Sequence, residues 1–416
     1  MSFVNHLRPR GLVTAMGLLV FSVSSVNAQT CDQTLSAGAS VGSAISSAAA
    51  GATICLNNGN YSGFTLNNVV KSPRVTVRAV NSKSASFTGG ISILGNTNGV
   101  TFDGINFAGV SITGSGAANL TFKNADASKG TMHVDYVTTA VPNILYENLT
   151  HYNQDNSGFC WSGTVNCIGA AAYALPGPTY RGSNTNPVIT IRGAIIDGGC
   201  ADGIQFAVPI VIENSIIKNK RVGSCINDPH TDATQLYGGV YTGSIIRNNY
   251  YYNNDQVIGA YDGVDGVLLE NNVFDPGTAG RPCQIELYAD NASIVRNNTV
   301  IARGGNGYIC LDRKSSDSAG VKTQVYNNIA LGLVTANGST ASVNTKNLFP
   351  GGGGTNIAGS PTFSGTCAGA VSAAKSWTQC ALAAGSAGKN AGTDGKDVGT
   401  SYYGITVVAP TNLTVK

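Results

Sequence analysis

The sequence predicts an all-β chain built as one solenoid of short strands. Three observations carry this: 53 glycines among 416 residues, charged residues at only 11%, and a recurring segment that ends in an asparagine. Abundant Gly, Asn, Ser and Thr with little Lys or Glu disfavour helices and suit short strands joined by tight turns. Length alone would allow two or three domains, but the repeat argues for one.

At the start, Arg8 and Arg10 precede an apolar run over 11–23, and Val26, Asn27 and Ala28 are small enough for cleavage before Gln29. Residues 1–28 are therefore expected to be a secretory signal peptide. The apolar run is too short for a membrane span and no later stretch approaches one, so neither a membrane anchor nor a membrane partner is expected. Ten cysteines, all beyond residue 28, fit an exported, extracellular or periplasmic protein in which disulfides persist. The formal net charge of +3 falls to about +1 without Arg8 and Arg10, and so weak a field argues against a nucleic-acid partner.

Residues 37–50 are rich in small side chains and predict a short helix, placed to cover the open end of a stack of strands. Strand-like segments follow at 75–78, 100–103, 120–123, 144–147, 189–192, 210–213, 244–247, 267–270, 293–296 and 323–326. Many end in a charged residue and then an asparagine: Asn124, Asn148, Asn214, Asn248, Asn271, Asn297 and Asn327. The last four intervals, 34, 23, 26 and 30 residues, are of solenoid length. Asparagine tolerates the left-handed backbone of a turn, and its amide can ladder between stacked strands.

Repeats of this length resemble the right-handed parallel β-helix of the pectate-lyase-like superfamily. The resemblance covers about 52–350, so residues 29–350 are expected to form the β-helix with its N-terminal cap. Gly351, Gly352, Gly353 and Gly354 mark a break, and residues 351–416 resemble the tails that fold back along or cap such solenoids. In that architecture adjacent rungs lie about 4.8 Å apart, within disulfide reach. Neighbour pairing is then expected: Cys31 with Cys55, Cys160 with Cys167, Cys200 with Cys225, Cys283 with Cys310, and Cys367 with Cys380.

The densest chemistry lies at 225–239, where Asp228, His230, Asp232, Gln235 and Tyr237 crowd a chain with four histidines in all. Asp202 and Gln205 repeat the D-x-x-Q spacing of Asp232 and Gln235, which places the two on neighbouring rungs. If Ile204, Phe206 and Leu236 face inward, alternation turns both glutamines and Tyr237 outward. Later rungs add Tyr261, Glu286 and Tyr288, then Asp312, Arg313 and Lys314. Such a stripe suits an extended glycan, because tyrosines stack on sugar faces while amides and carboxylates bond hydroxyls.

Asp228, Pro229 and His230 are similar to the D-P-H element of mannuronan C5-epimerases, whose Asp and His belong to the catalytic constellation; that implies such roles for Asp228 and His230. The aromatic-Gly lead-in of those enzymes is replaced here by Cys225, Ile226 and Asn227. The H-T-D-A-T-Q stretch also resembles the H-x-D-x-x-Q of many secreted β-helix proteins with no assigned substrate.

The favoured function is a secreted polysaccharide lyase. His230 or a tyrosine would remove the proton α to a uronate carboxylate, Arg221, Arg281 or Arg313 would neutralise that carboxylate, and a tyrosine would protonate the leaving oxygen. Re-protonation on the opposite face would instead make an epimerase. The alternative is a glycoside hydrolase using Asp202 and Asp232 as paired carboxylates, and a glycan binder without turnover competes with both. In structural roles, Asp202 and Asp232 would bond turn amides where their strands begin, and Gln205 and Gln235 would form an amide ladder. His133 and His151 are expected at surface or packing positions. No cofactor is expected: calcium suits a β-helix carboxylate cluster, but no D-x-D-x-D-G loop is present. The chain is expected to act as a monomer on a polysaccharide.

Overall fold

A computed structural model describes residues 30–134, 137–154, 187–200, 202–222, 231–236, 239–278, 281–367 and 380–400. The expected leader at 1–28 lies outside these residues. From Cys31 onward the chain is one compact unit, a parallel β-solenoid in which each coil contributes one strand to a 14-stranded sheet. No described helix is long and apolar enough to cross a membrane.

Period-two alternation builds the interior. In the long sheet Val77, Phe102, Phe122, Tyr146, Ile191, Ile212, Ile246, Leu269, Val295 and Val325 stand in register on successive rungs, all buried. Stacked neighbours of like shape tile the core without gaps, as with the rings of Phe102 and Phe122 at 5.1 Å. The helix Val41–Ser47 buries Val41, Ala44 and Ile45 over the first coil, an i, i+3, i+4 stripe within the stretch the sequence marks as a cap.

The outward end of the same strands carries charges of alternating sign. Asp103, Lys123, Glu147, Arg192, Glu213, Arg247, Glu270 and Arg296 follow one another in register. Arg192 and Arg247 grip Glu213 from either side at 2.6 and 2.7 Å. Burial alone would raise the Glu213 carboxyl, but those two guanidinium partners hold it below the usual carboxylate range. The charge is thus satisfied by the rungs above and below it.

At the ends of these strands the asparagines at 124, 148, 214, 248, 271, 297 and 327 adopt φ between 52 and 57°, the left-handed turn expected of them. The longest amide ladder, however, is made by the residues one position later. Asn249, Asn272, Asn298, Asn328 and Asn347 are fully buried, and each donates its side-chain amide to the next Oδ1 at 2.9–3.0 Å, ending on Asn356. The left-handed residue carries the chain around the corner, so it is the following side chain that turns into the coil.

The sheet gains a further strand, Thr355–Ala358, beyond the glycine run. Residues 380–400 then run back along the solenoid, with bonds from Thr393 and Gly399 to Asn327, and from Thr400 to Thr299 and Asn272. Disulfides join Cys31 to Cys55, Cys283 to Cys310 and Cys367 to Cys380, the neighbour pairs expected. Cys200 is also disulfide-bonded, while Cys160, Cys167 and Cys225 lie outside the described residues.

The ladder predicts a sharp contrast between adjacent asparagines. Asn298→Ala removes the donor to the Leu269 and Arg296 carbonyls and the acceptor for Asn272. At about 1–3 kcal/mol per orphaned group, it should destabilise by at least about 3 kcal/mol. Asn297→Gly keeps the left-handed turn and should shift stability by less than about 0.5 kcal/mol. Urea unfolding that finds equal losses at the two positions would refute this division of labour.

Candidate active site

A second sheet of six parallel strands presents the polar stripe: Ile204–Phe206, Asp232–Leu236, Gln256–Ala260, Cys283–Tyr288, Tyr308–Asp312 and Gly332–Thr335. Its register sets Gln205 beside Gln235, and the column continues through Gly259, Glu286 and Cys310. The flanking columns, Thr234 with Ile258 and Ile285, and Leu236 with Ala260 and Leu287, are buried in the coil. This is the inward and outward division that the alternation predicts.

At the N-terminal rungs the polar groups serve one another. Asp202 is 2% exposed, and its two carboxylate oxygens accept the Asp232 backbone N–H at 2.8 Å and the Gln205 amide at 3.2 Å. Gln205 also donates to Gln235. Asp202 therefore fixes the start of the next strand, and the glutamines form a buried ladder.

One and two rungs further on, functional groups converge on a single hydroxyl. The Tyr261 hydroxyl lies 2.9 Å from Gln256 Oε1, 3.3 Å from Asp232 Oδ1 and 3.4 Å from Glu286 Oε2. Tyr288 donates to the other Glu286 oxygen at 3.2 Å, and its ring meets that of Tyr261 edge-on at 5.3 Å. Asp232 is fully buried, whereas Glu286 and both tyrosines are half-buried. One phenolic proton is thus shared among three acceptor oxygens.

Burial pushes the Glu286 carboxyl above the usual range and the charge of Asp232 adds to this, opposed by the two tyrosine hydrogen bonds and by Arg281. Burial, then the charges of Asp232 and Glu286, raise Tyr261. Tyr288 is pushed up to about 12 by burial and by Glu286 and Asp312. Both phenols are therefore neutral donors near pH 7.

Arg281 is exposed, and its charge reaches Tyr261, Glu286 and Tyr288. Among the described residues nothing engages its guanidinium. The other sequence-named cations are committed: Arg221 to Asp255 at 2.9 Å and Asn253 at 3.1 Å, Arg313 to the carbonyls of Asn337 and Asp317, and Lys314 to Asp262. Asp312 accepts the Arg313 N–H and the Asn337 amide, both at 2.7 Å, and so closes its own loop.

The structure therefore gathers Asp232, Tyr261, Arg281, Glu286 and Tyr288, and sets Asp202, Gln205, Gln235, Arg221, Asp312, Arg313 and Lys314 to structural bonds. Asp228, His230 and Tyr237 lie outside the described residues. His133 is half-buried, and desolvation lowers its pKa. His151 is fully buried, and burial pushes it down to about 3. Sequence reasoning missed Gln256 and Gly259; aligning Tyr261 with Tyr237 would have set Gln256 level with Asp232. Among the described residues no three His, Cys, Asp or Glu side chains are grouped to hold a metal ion.

No family model and no curated protein matches the sequence. Among solved structures the chain is similar to the PL6 family alginate lyase AlyGC, at 12% identity and a TM-score of 0.41, over 90% of this chain and 59% of that one. It is similar also to the A-module of the Azotobacter vinelandii mannuronan C-5 epimerase AlgE4, at 14% identity and a TM-score of 0.37, over 75% and 100%. Pectate lyase Pel9A shares 15% identity at a TM-score of 0.41, over 89% and 96%. The likeness is one of coil architecture, and residue roles rest on the geometry above.

The shared-proton arrangement has a direct readout. Asp232→Asn removes a negative charge that raises Glu286, so the Glu286 carboxyl should titrate at lower pH than in the wild type. Arg281→Ala should move it the opposite way. Side-chain carbon NMR of labelled glutamate measures both shifts, and two shifts in the same direction would contradict the assignment.

Proposed function

We propose that the chain is a polysaccharide lyase that cleaves a uronic-acid-containing glycan by β-elimination on the outer face of the six-stranded sheet. The observation that supports this reading is the Arg281 guanidinium, which nothing among the described residues engages and whose charge reaches Glu286, Tyr261 and Tyr288. In a chain where the neighbouring cations are tied to carboxylates or carbonyls, an exposed arginine over an acid–phenol cluster suits a substrate carboxylate.

Arg281 pairs with the uronate carboxylate and stabilises the charge that builds on it as the α proton leaves. Glu286, with its raised pKa, is a stronger base than an ordinary carboxylate and takes the C5 proton. The C4–O bond breaks, a C4–C5 double bond forms, and Tyr288 gives its proton to the departing oxygen. Glu286 then returns a proton to Tyr288 along their 3.2 Å hydrogen bond, restoring both groups. Tyr261 holds Glu286 in place, and burial with the charge of Asp232 keeps its pKa high. The disulfides suit an exported enzyme that meets its polymer outside the cell.

A hydrolase reading has one observation in its favour. Asp232 and Glu286 flank the Tyr261 hydroxyl, so their facing oxygens stand no more than about 7 Å apart, a separation that admits a retaining pair at about 5–5.5 Å. Against it, Asp232 is fully buried, as a group that must reach a sugar or its water should not be.

Incubation with a panel of uronate and neutral polysaccharides should yield products with the ultraviolet absorbance of an unsaturated uronate, on uronate polymers alone. Glu286→Gln and Tyr288→Phe should each lower kcat by about 10²- to 10⁴-fold. Because Glu286 must be ionised to act, turnover should rise with pH through a limb displaced above the ordinary carboxylate range. Reducing ends without ultraviolet absorbance would establish the hydrolase instead. Loss of turnover in His230→Ala, with Glu286→Gln active, would transfer the base to His230.

A further inference from the structure

The outward column of the site sheet reads Gln205, Gln235, Gly259, Glu286 and Cys310. Gly259 interrupts it with no side chain, although its backbone is ordinary extended strand and is absent from the positive-φ glycines. A glycine inside a strand weakens it and commonly marks a close approach by another group. Here the approaching groups are the Asp232 carboxylate and the Tyr261 ring. A Cβ at position 259 would lie 2.5 Å from Asp232 Oδ1, 2.7 Å from Tyr261 Cε2 and 2.8 Å from the Tyr261 hydroxyl.

The next rung shows what a side chain at this place does. Tyr288 stands two residues after Glu286 as Tyr261 stands two residues after Gly259. Its hydroxyl stops at Glu286 Oε1, whereas the Tyr261 ring lies back across the empty position and reaches Asp232, Gln256 and Glu286.

We infer that Gly259 is a positioning residue, an empty seat that lets the Tyr261 hydroxyl bridge Asp232 and Glu286. It touches no substrate and acts only through where it puts Tyr261. This deepens the lyase reading, on which its catalytic consequence rests, but the seat itself is a claim about Tyr261 that needs no substrate to test.

The test is Gly259→Ala, read first without substrate. In wild-type protein carrying ring-labelled tyrosine, the resonance that Tyr261→Phe removes should titrate above the free phenol's value of about 10, because the seated phenol is buried between two carboxyl groups. In Gly259→Ala that resonance should titrate closer to the free value. On the polymer that the wild type cleaves, kcat should fall about 10²-fold with KM within about threefold. The double variant Gly259→Ala/Tyr261→Phe should be no slower than Tyr261→Phe alone.

An unchanged tyrosine titration, or rate losses that multiply in the double variant, would overturn the inference. If the titration moves but no uronate polymer is cleaved by the wild type, the seat stands and the lyase reading fails. Should Gly259→Ala unfold, Gly259→Ala/Tyr261→Ala removes the ring and leaves only the Asp232 oxygen against the new Cβ, so it should be more stable than Gly259→Ala. A double variant as unstable as the single would also overturn the inference.

Discussion

In a parallel coil the nearest neighbours of a side chain are the residues one rung above and one rung below, about 4.8 Å away along the axis. Everything else in this molecule follows from that constraint. An apolar residue is buried by its equivalents, a buried asparagine is satisfied by the next asparagine, and a charge is stable only if the adjacent rungs carry the opposite sign. The alternating column from Asp103 to Arg296 and the ladder from Asn249 to Asn356 are two solutions to the same demand.

The candidate site is where column matching lapses. Asp232 and Glu286 lie on either side of the Tyr261 hydroxyl, which fills the place that Gly259 leaves empty. Burial, with the charge of Asp232 added, raises the Glu286 carboxyl. Elsewhere the fold spends its few charges on mutual pairing, as in Arg192, Glu213 and Arg247. That empty position, together with an Arg281 guanidinium that nothing among the described residues engages, is what sets the candidate site apart from the scaffold.

Much of the fold was legible because solenoid rules are local. The strand-ending asparagines could be read from spacing, the capping helix from its run of small residues, and the Cys283 to Cys310 neighbour pair from what the β-helix resemblance implies. The match of Gln205 to Gln235 followed from one D-x-x-Q echo. Less of the site was legible, because whether a polar residue is free or spoken for depends on rungs 20 to 50 residues away. Arg313 looks like a neutraliser in sequence, yet two backbone carbonyls hold it. Asp202 looks like half of a carboxylate pair, yet it fastens the next strand. Gly259 carries no chemistry of its own, and only the path of the Tyr261 ring gives it meaning.

The central claim is that this acid–phenol cluster and its arginine break a uronate glycan by elimination. Cleavage in water labelled with heavy oxygen, followed by mass spectrometry of the fragments, tests it most directly. Elimination forms a carbon–carbon double bond and takes no oxygen from water into either new end, so unlabelled fragments, one of them unsaturated, are expected from a uronate polymer. Fragments carrying one heavy oxygen at the newly formed reducing end would show that water is the nucleophile and would contradict the account.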